Sequence, residues 1–249
     1  MNKKNIFKPL IEQFETQRYK DYCYDMVEHI PDYFFVMPSS TSGKYHNVTQ
    51  CQEYGQIYHT YMFASILNHL LRLEHNQEKY DTPELRDSMR CIPIFHDAIK
   101  CGWNGSTYTV QNHPLLAKEW VLSTIVEHDI PKENKQIIAN ACEAHSGQWN
   151  TDRKGNEIMS KPRNDLEFLI HECDILSSRA DLDWIISNDL KVVLDDAPHT
   201  APEDFVMPFG KYVGLKLGEI YSEDPQYIEW AKENIEKEPL RSKLKELEV

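Results

Sequence analysis

The sequence predicts an all-α fold, on three observations. Apolar residues recur at three- and four-residue steps over residues 57–73, where Met62, Phe63, Ile66, Leu70 and Leu73 share a face with His59. The same spacing returns over 132–145, through Ile137, Ile138, Ala141 and Cys142, and again over 166–186. The one stretch with strand-like residues, 103–112, is short and carries no sustained pattern, so it reads as a loop or small hairpin.

The elements follow in order. An acidic, aromatic-rich helix is expected over 11–30, stopped by Pro31, with a loop over 37–43 leading to the helix at 57–73. Pro83 suits the start of a short helix, and Pro93 the first turn of the next, which Gly102 would end. Asn112 or His113 can cap a helix that begins at Pro114 and carries Leu115, Leu116, Trp120 and Val121. Gly147 would terminate the helix at 132–145, and the polar stretch 151–163, with Gly155 and Pro162, reads as an exposed loop. Asp195-Asp196-Ala197-Pro198 and Ala201-Pro202 then break the pattern, dividing a domain of residues 1–197 from a small C-terminal appendage, 203–249. That appendage is aromatic and glycine-punctuated: Met207-Pro208-Phe209-Gly210-Lys211-Tyr212, then Gly214, Leu217, Ile220, Tyr227 and Trp230. Its final Lys- and Glu-rich helix reads as a solvated surface helix.

Composition narrows the function classes. With 249 residues, 41% hydrophobic and 11% aromatic, the chain can bury a substantial core, which excludes a fully disordered protein. A net charge of -13 argues against an extensive nucleic-acid surface or an anionic membrane as partner. The six cysteines form no CxxC pair and the N-terminus lacks an apolar signal segment, so reduced thiols in a soluble cytoplasmic protein are expected. No apolar run approaches the ~20 residues of a membrane helix.

The chemistry concentrates in a few polar residues. His96-Asp97 lies in an apolar run, with His59 upstream and His113, His145 and Asp174 downstream. Adjacent side chains on a helix diverge by about 100° and cannot face one point in a core, yet both can reach neighbouring metals at a helix end. Asp174 sits beside Ile170, Cys173 and Ser177, where a carboxylate is costly unless paired or metal-bound. Six imidazole or carboxylate ligands can hold two divalent metals, of a kind suited to Mn, Fe, Co, Ni, Zn or Mg rather than to a thiolate site. An anionic substrate would need such cations together with Lys44, Lys100 and Arg179. Lys44 and His46, in a Ser-Gly segment, read either as a phosphate-contacting loop with a proton donor or as a structural turn.

The order His, His-Asp, His, His, Asp resembles the HD-domain phosphohydrolases, which are nearly all-helical bundles. The resemblance spans roughly residues 39–185 and extends to the wording around the ligands: Ser42-Gly43-Lys44-Tyr45-His46, Tyr58-His59-Thr60, His113-Pro114-Leu115-Leu116, His145-Ser146-Gly147-Gln148-Trp149 and His171-Glu172-Cys173-Asp174. It implies that His59, His96, Asp97 and Asp174 hold a first metal, that His113 and His145 hold a second, and that Asp97 bridges the two. Lys100 resembles the lysine of the family's HD-x-x-K variant and would contact the phosphate. Ser178 and Arg179, one turn after Asp174, would also bind phosphate, while Trp103, Trp149 or Tyr108 could stack on a base, and His171 could support the ligands.

The activity implied is hydrolysis of a small phosphorylated metabolite by metal-bound hydroxide, with a nucleotide or deoxynucleotide 5′-monophosphate as the favoured substrate. Phage-encoded deoxynucleoside 5′-monophosphatases of the HD type are the nearest comparison, which would place the protein in the host cytoplasm. A phosphodiesterase, a nucleoside triphosphohydrolase and a non-catalytic metal-binding scaffold remain open alternatives. The appendage resembles a short C-terminal segment of bacterial and phage proteins, including certain exonucleases, with an FGK-x-x-G-x-x-L pattern. Val213 and Leu215 depart from the polar residues usual there, which favours a packing or homo-oligomerisation module over one that touches nucleic acid.

Overall fold

The computed structural model describes residues 2–40, 46–152, 154–179, 200–236 and 239–247. The fold is all-α: among these residues the regular elements are helices, and β-pairing is confined to two isolated bridges, Thr151–Glu157 and Val206–Lys216. The body comprises α1 (Lys3–Ile11), α2 (Gln17–Glu28), α3 (Gly55–Leu71), α4 (Glu74–Lys79), α5 (Pro83–Phe95), α6 (His113–Ser123), α7 (Lys132–Ala144) and α8 (Asp165–Ser178). The appendage comprises α9 (Leu217–Glu223), α10 (Pro225–Asn234) and α11 (Leu240–Glu246). Among the described residues no helix is long and apolar enough to cross a membrane, and all six cysteines are free and buried.

Two expectations need correction. The helix expected over 11–30 is two helices, because the backbone N–H groups of Glu15 and Thr16 turn away to donate to the Asp87 carboxylate at 2.9 and 2.8 Å. That carboxylate lies on α5, so the break is set by a tertiary partner. Pro93, expected to open a new helix, instead lies inside α5, two residues before its last residue, Phe95. Thr82 caps α5 by accepting from Leu85 N, and Pro83 occupies the first turn, where no intrahelical N–H bond is needed. The segment 103–112 is a series of turns, and its Val110 N–H returns to the Lys100 carbonyl at 2.9 Å.

Helix α3 packs against α5 and α8, while α7 packs against α5, α6 and α8. Phe95, wholly buried, meets Tyr22 and Trp120 edge-on at ring separations of 6.1 and 5.3 Å. Burial of a side chain of this size is worth about 1.5–3 kcal/mol, and here it anchors the residue immediately before His96. The ends of α5 and α7, the start of α6 and the last turns of α8 therefore converge on the middle of α3.

Buried apolar side chains of the appendage, including Met207, Leu217, Ile220, Ile228, Leu240 and Leu244, form a cluster separate from the body's core. The final helix α11 is more than a solvated surface helix, because Leu240 and Leu244 are buried and so is Lys243. Lys243 Nζ lies 2.8 Å from Glu53 Oε2 and donates to the Thr200 carbonyl at 3.0 Å, while Thr200 N donates to Glu53 Oε1 at 2.8 Å. Those bonds clamp the appendage to the segment that enters α3.

Candidate metal centre

Each expected ligand lies within a helix or at a helix end. His59 is in α3; His96 caps the C-terminus of α5, with Asp97 next; His113 opens α6; His145 caps α7; Asp174 lies in α8. The structure brings all six together. His59 Nε2 is 2.9 Å from Asp174 Oδ1 and 3.2 Å from His96 Nε2, and His96 Nε2 is 3.4 Å from Asp97 Oδ2. Asp97 Oδ1 has His113 Nε2 at 3.0 Å and His145 Nε2 at 3.8 Å.

The hydrogen bonds on the far side of each ring fix its tautomer. A carbonyl can only accept, so the contacts of His96 Nδ1 with Pro93 O (2.9 Å), His113 Nδ1 with Val110 O (2.9 Å) and His145 Nδ1 with Cys142 O (2.7 Å) require a proton on each Nδ1. Ser177 Oγ donates to the Asp174 carbonyl and must therefore accept from His59 Nδ1 at 3.1 Å. In their neutral forms all four imidazoles thus turn an Nε2 lone pair inward, towards two carboxylates. Acceptors facing acceptors at these distances repel unless a cation or a shared proton lies between them. Asp97 Oδ1 is buried without a hydrogen-bond partner, as this tautomer pattern dictates.

This donor set fits divalent metal. Among the described residues two groups could hold an ion, His59–His96–Asp174 and His96–Asp97–His145, so His96 belongs to both, whereas the apportioning expected from the resemblance gave it to one. The outward Nδ1–H bonds are the support that metal-ligating histidines require to keep their orientation. Burial pushes His145 down to about 3 and also lowers His59, despite the pull of Asp174 on the latter. Burial would raise the Asp97 carboxyl, but the charges of Lys100 and His96 outweigh it and hold it well below the usual range. Asp174 is likewise lowered against burial, first by the His59 imidazole 2.9 Å away.

A cavity of about 340 Å³ opens over the cluster, lined by His46, Lys100, Ser146, Trp149, Ile175, Ser178 and Arg179 as well as five of the six ligands. His96 lies beneath, wholly buried. Of the residues expected to bind substrate, the structure brings His46, Ser178 and Arg179 to this cavity, and Lys44 falls outside the described residues. Trp149 reaches the rim, 57% exposed, whereas Trp103 and Tyr108 do not line the cavity. Lys100, which could equally have been a solvent-facing helix-end cation, is buried with Nζ 2.6 Å from Asp97 Oδ2 and 3.0 Å from Gln56 Oε1. His171 supports the site through Nδ1, 2.6 Å from the His145 carbonyl. Gly147 stands against that ring at φ 54°, and a Cβ there would lie 2.0 Å from a ring atom, so only glycine fits.

Three residues escaped the sequence reading as site residues. Gln56 contacts both Asp97 and Lys100; Gln50 accepts from His46 Nδ1 at 2.7 Å while donating to the Ser177 carbonyl; Ser177 orients His59. Gln56 carries the one usable signal, since it precedes His59 by three residues and so shares its helical face.

Residues 207–236 match the family model of the exodeoxyribonuclease X-like C-terminal segment, the region where the FGK-x-x-G resemblance lies. No curated protein and no solved structure matches the chain.

Proposed function

We propose that the chain is a metal-dependent phosphohydrolase of the HD-domain type, acting on the phosphomonoester of a nucleotide or deoxynucleotide 5′-monophosphate. The observation that carries this reading is the convergence of four inward Nε2 atoms on Asp97 and Asp174 beneath a cavity that also holds Lys100. Divalent cations held there would activate water and neutralise phosphoryl charge, the two services that phosphoryl transfer chiefly needs.

The chain's own residues supply the rest. Lys100 has three N–H donors, of which Asp97 and Gln56 take two, leaving one for a phosphoryl oxygen. Ser178 and Arg179 flank the cavity and can bind further oxygens, while Ile175 and Trp149 offer an apolar wall and a ring face to a base. Burial pushes His46 down to about 4, and Gln50 holds its Nδ1 proton, so at neutral pH His46 offers Nε2 as a proton acceptor. The cavity volume lies within the ~300–1,000 Å³ usual for small-molecule sites, which favours a mononucleotide over a polymer.

A second reading, cleavage of a phosphodiester, is favoured by the match of 207–236 to a segment named for an exodeoxyribonuclease. The test is to load the purified chain separately with Mn²⁺, Fe²⁺, Co²⁺, Ni²⁺ and Zn²⁺ and offer nucleoside 5′-mono-, tri- and cyclic phosphates and single-stranded DNA. Phosphate release from monophosphates supports the first reading, and nucleotide release from DNA the second. Protein that retains metal and attacks none of them would be a scaffold.

A further inference from the structure

We propose that Gln56 is the positioning residue of this site, setting Lys100 and Asp97 for an anionic ligand; the inference rests on the phosphohydrolase reading. Gln56 is wholly buried in the first turn of α3. Its Nε2 donates to Asp97 Oδ2 at 3.0 Å and its Oε1 accepts from Lys100 Nζ at 3.0 Å. The amide cannot be reversed without setting a donor against an ammonium and an acceptor against a carboxylate. Asp97 Oδ2 therefore carries two donors, Gln56 and Lys100, which leaves Oδ1 to His113 and His145, and Lys100 is held at two of its three N–H groups.

The backbone is built to deliver this amide. Tyr54, at φ 64°, is the only non-glycine residue with positive φ among the described residues, a strained conformation that persists only where the surroundings hold it. Gly55 follows with no room for a side chain, since a Cβ would lie 2.1 Å from the Gln50 carbonyl oxygen. Tyr54 N and Gln56 N then donate to the carbonyls of Val36 and Met37, at 3.2 and 3.1 Å. A strained residue, an obligatory glycine and two anchored amides fix the start of α3, and Gln56 is the side chain this start presents to the site.

The test is a double-mutant cycle read by calorimetric binding of inorganic phosphate to the metal-loaded chain, with metal content measured on every variant. Gln56→Met keeps the length and removes the amide. It is expected to weaken phosphate binding roughly tenfold or more, as loss of a hydrogen bond to a charged group does, with metal content unchanged. Lys100→Met should weaken it similarly, and Gln56→Met should add nothing in the Lys100→Met background, because its effect passes through Lys100. Should Gln56→Met not fold, Gln56→Asn, an amide one methylene too short to reach both partners, carries the same cycle. Wild-type phosphate affinity in the Gln56 variant, or additive losses in the cycle, would overturn the positioning role alone. A metal-loaded wild-type chain that binds no phosphate overturns the phosphohydrolase reading with it.

Discussion

The candidate metal centre and the clamp between body and appendage both bury charge, and they treat it in opposite ways. At the clamp, Lys243 is met by Glu53, the Thr200 carbonyl and Glu246, so its three donors are answered by protein atoms. At the cluster, inward-facing acceptors meet one another and Asp97 Oδ1 has no hydrogen-bond partner. A buried polar group left unpaired costs more than it returns unless something else completes it. Satisfied charge thus marks architecture in this chain, and unsatisfied charge marks a ligand site. Each variant below asks whether that division holds.

The largest effect is expected at Asp97. Asp97→Asn keeps the shape and removes the charge that faces His96, His113, His145 and Lys100. Bound metal should be largely lost and turnover should fall roughly a hundredfold or more, with the helical circular dichroism retained. Full metal content would mean that the convergence of acceptors has another cause.

Acidification probes the same contrast without a mutation. Burial lowers the titration of His59, His46 (to about 4) and His145 (to about 3), so the fold keeps these rings neutral while the unfolded chain protonates them near pH 6.5. Their contribution is present above that pH and is lost as pH falls through it. His96 has the opposite sign: Asp97 and Asp174 outweigh burial and raise it, so its contribution is present at low pH and is lost on the alkaline side. Asp97 and Asp174, both lowered, stay ionised throughout the window. A strongly lowered histidine costs about 2 kcal/mol between pH 7 and 5, and the two strongly lowered rings, His46 and His145, outweigh one raised. The metal-free chain should therefore lose stability in urea over this interval, and a flat profile would argue against neutral buried rings.

At the clamp, Lys243→Ala takes the ammonium away from the largely buried Glu53 carboxylate, at an expected cost of about 1–3 kcal/mol. Thermal unfolding should move down while metal content stays at the wild-type level. Loss of metal in this variant would break the comparison, because it would show that the clamp at Glu53 holds the start of α3, and hence Gln56, in place.

Much of this organisation was legible in the sequence. The convergence of six candidate ligands could be anticipated because their spacing matches a pattern, and helices α3 and α7 because their apolar periodicity is local. Pro93 misled because a proline marks a helix start only as a tendency, and here it is held within the last turn of α5, where its carbonyl accepts from His96 Nδ1. The break before α2 was hidden because its cause, Asp87, lies about seventy residues away. Lys243 looked like one more surface lysine in a run of Lys and Glu, and only tertiary packing shows that it is buried. Gln56 belongs to no motif, and a neutral amide draws no attention until its two charged partners are seen.

The smallest expected effect lies at the rim of the cavity. Trp149 is 57% exposed and meets His171 edge-on at 6.2 Å, so it adds little to the core. Trp149→Ala should change unfolding free energy by no more than about 0.5 kcal/mol, as exposed substitutions usually do. If a base stacks on this ring, the loss of an aromatic contact of about 0.5–1.5 kcal/mol should raise KM for a nucleotide two- to roughly tenfold and leave kcat unchanged. A substrate with the phosphate but no base, such as a simple alkyl phosphate, should show no change, since the groups that hold phosphate lie deeper, at Lys100 and the ligand cluster. An equal rise for both substrates would give Trp149 a role in shaping the whole cavity, through His171 and the His145 carbonyl. No rise for either would place the base against another wall.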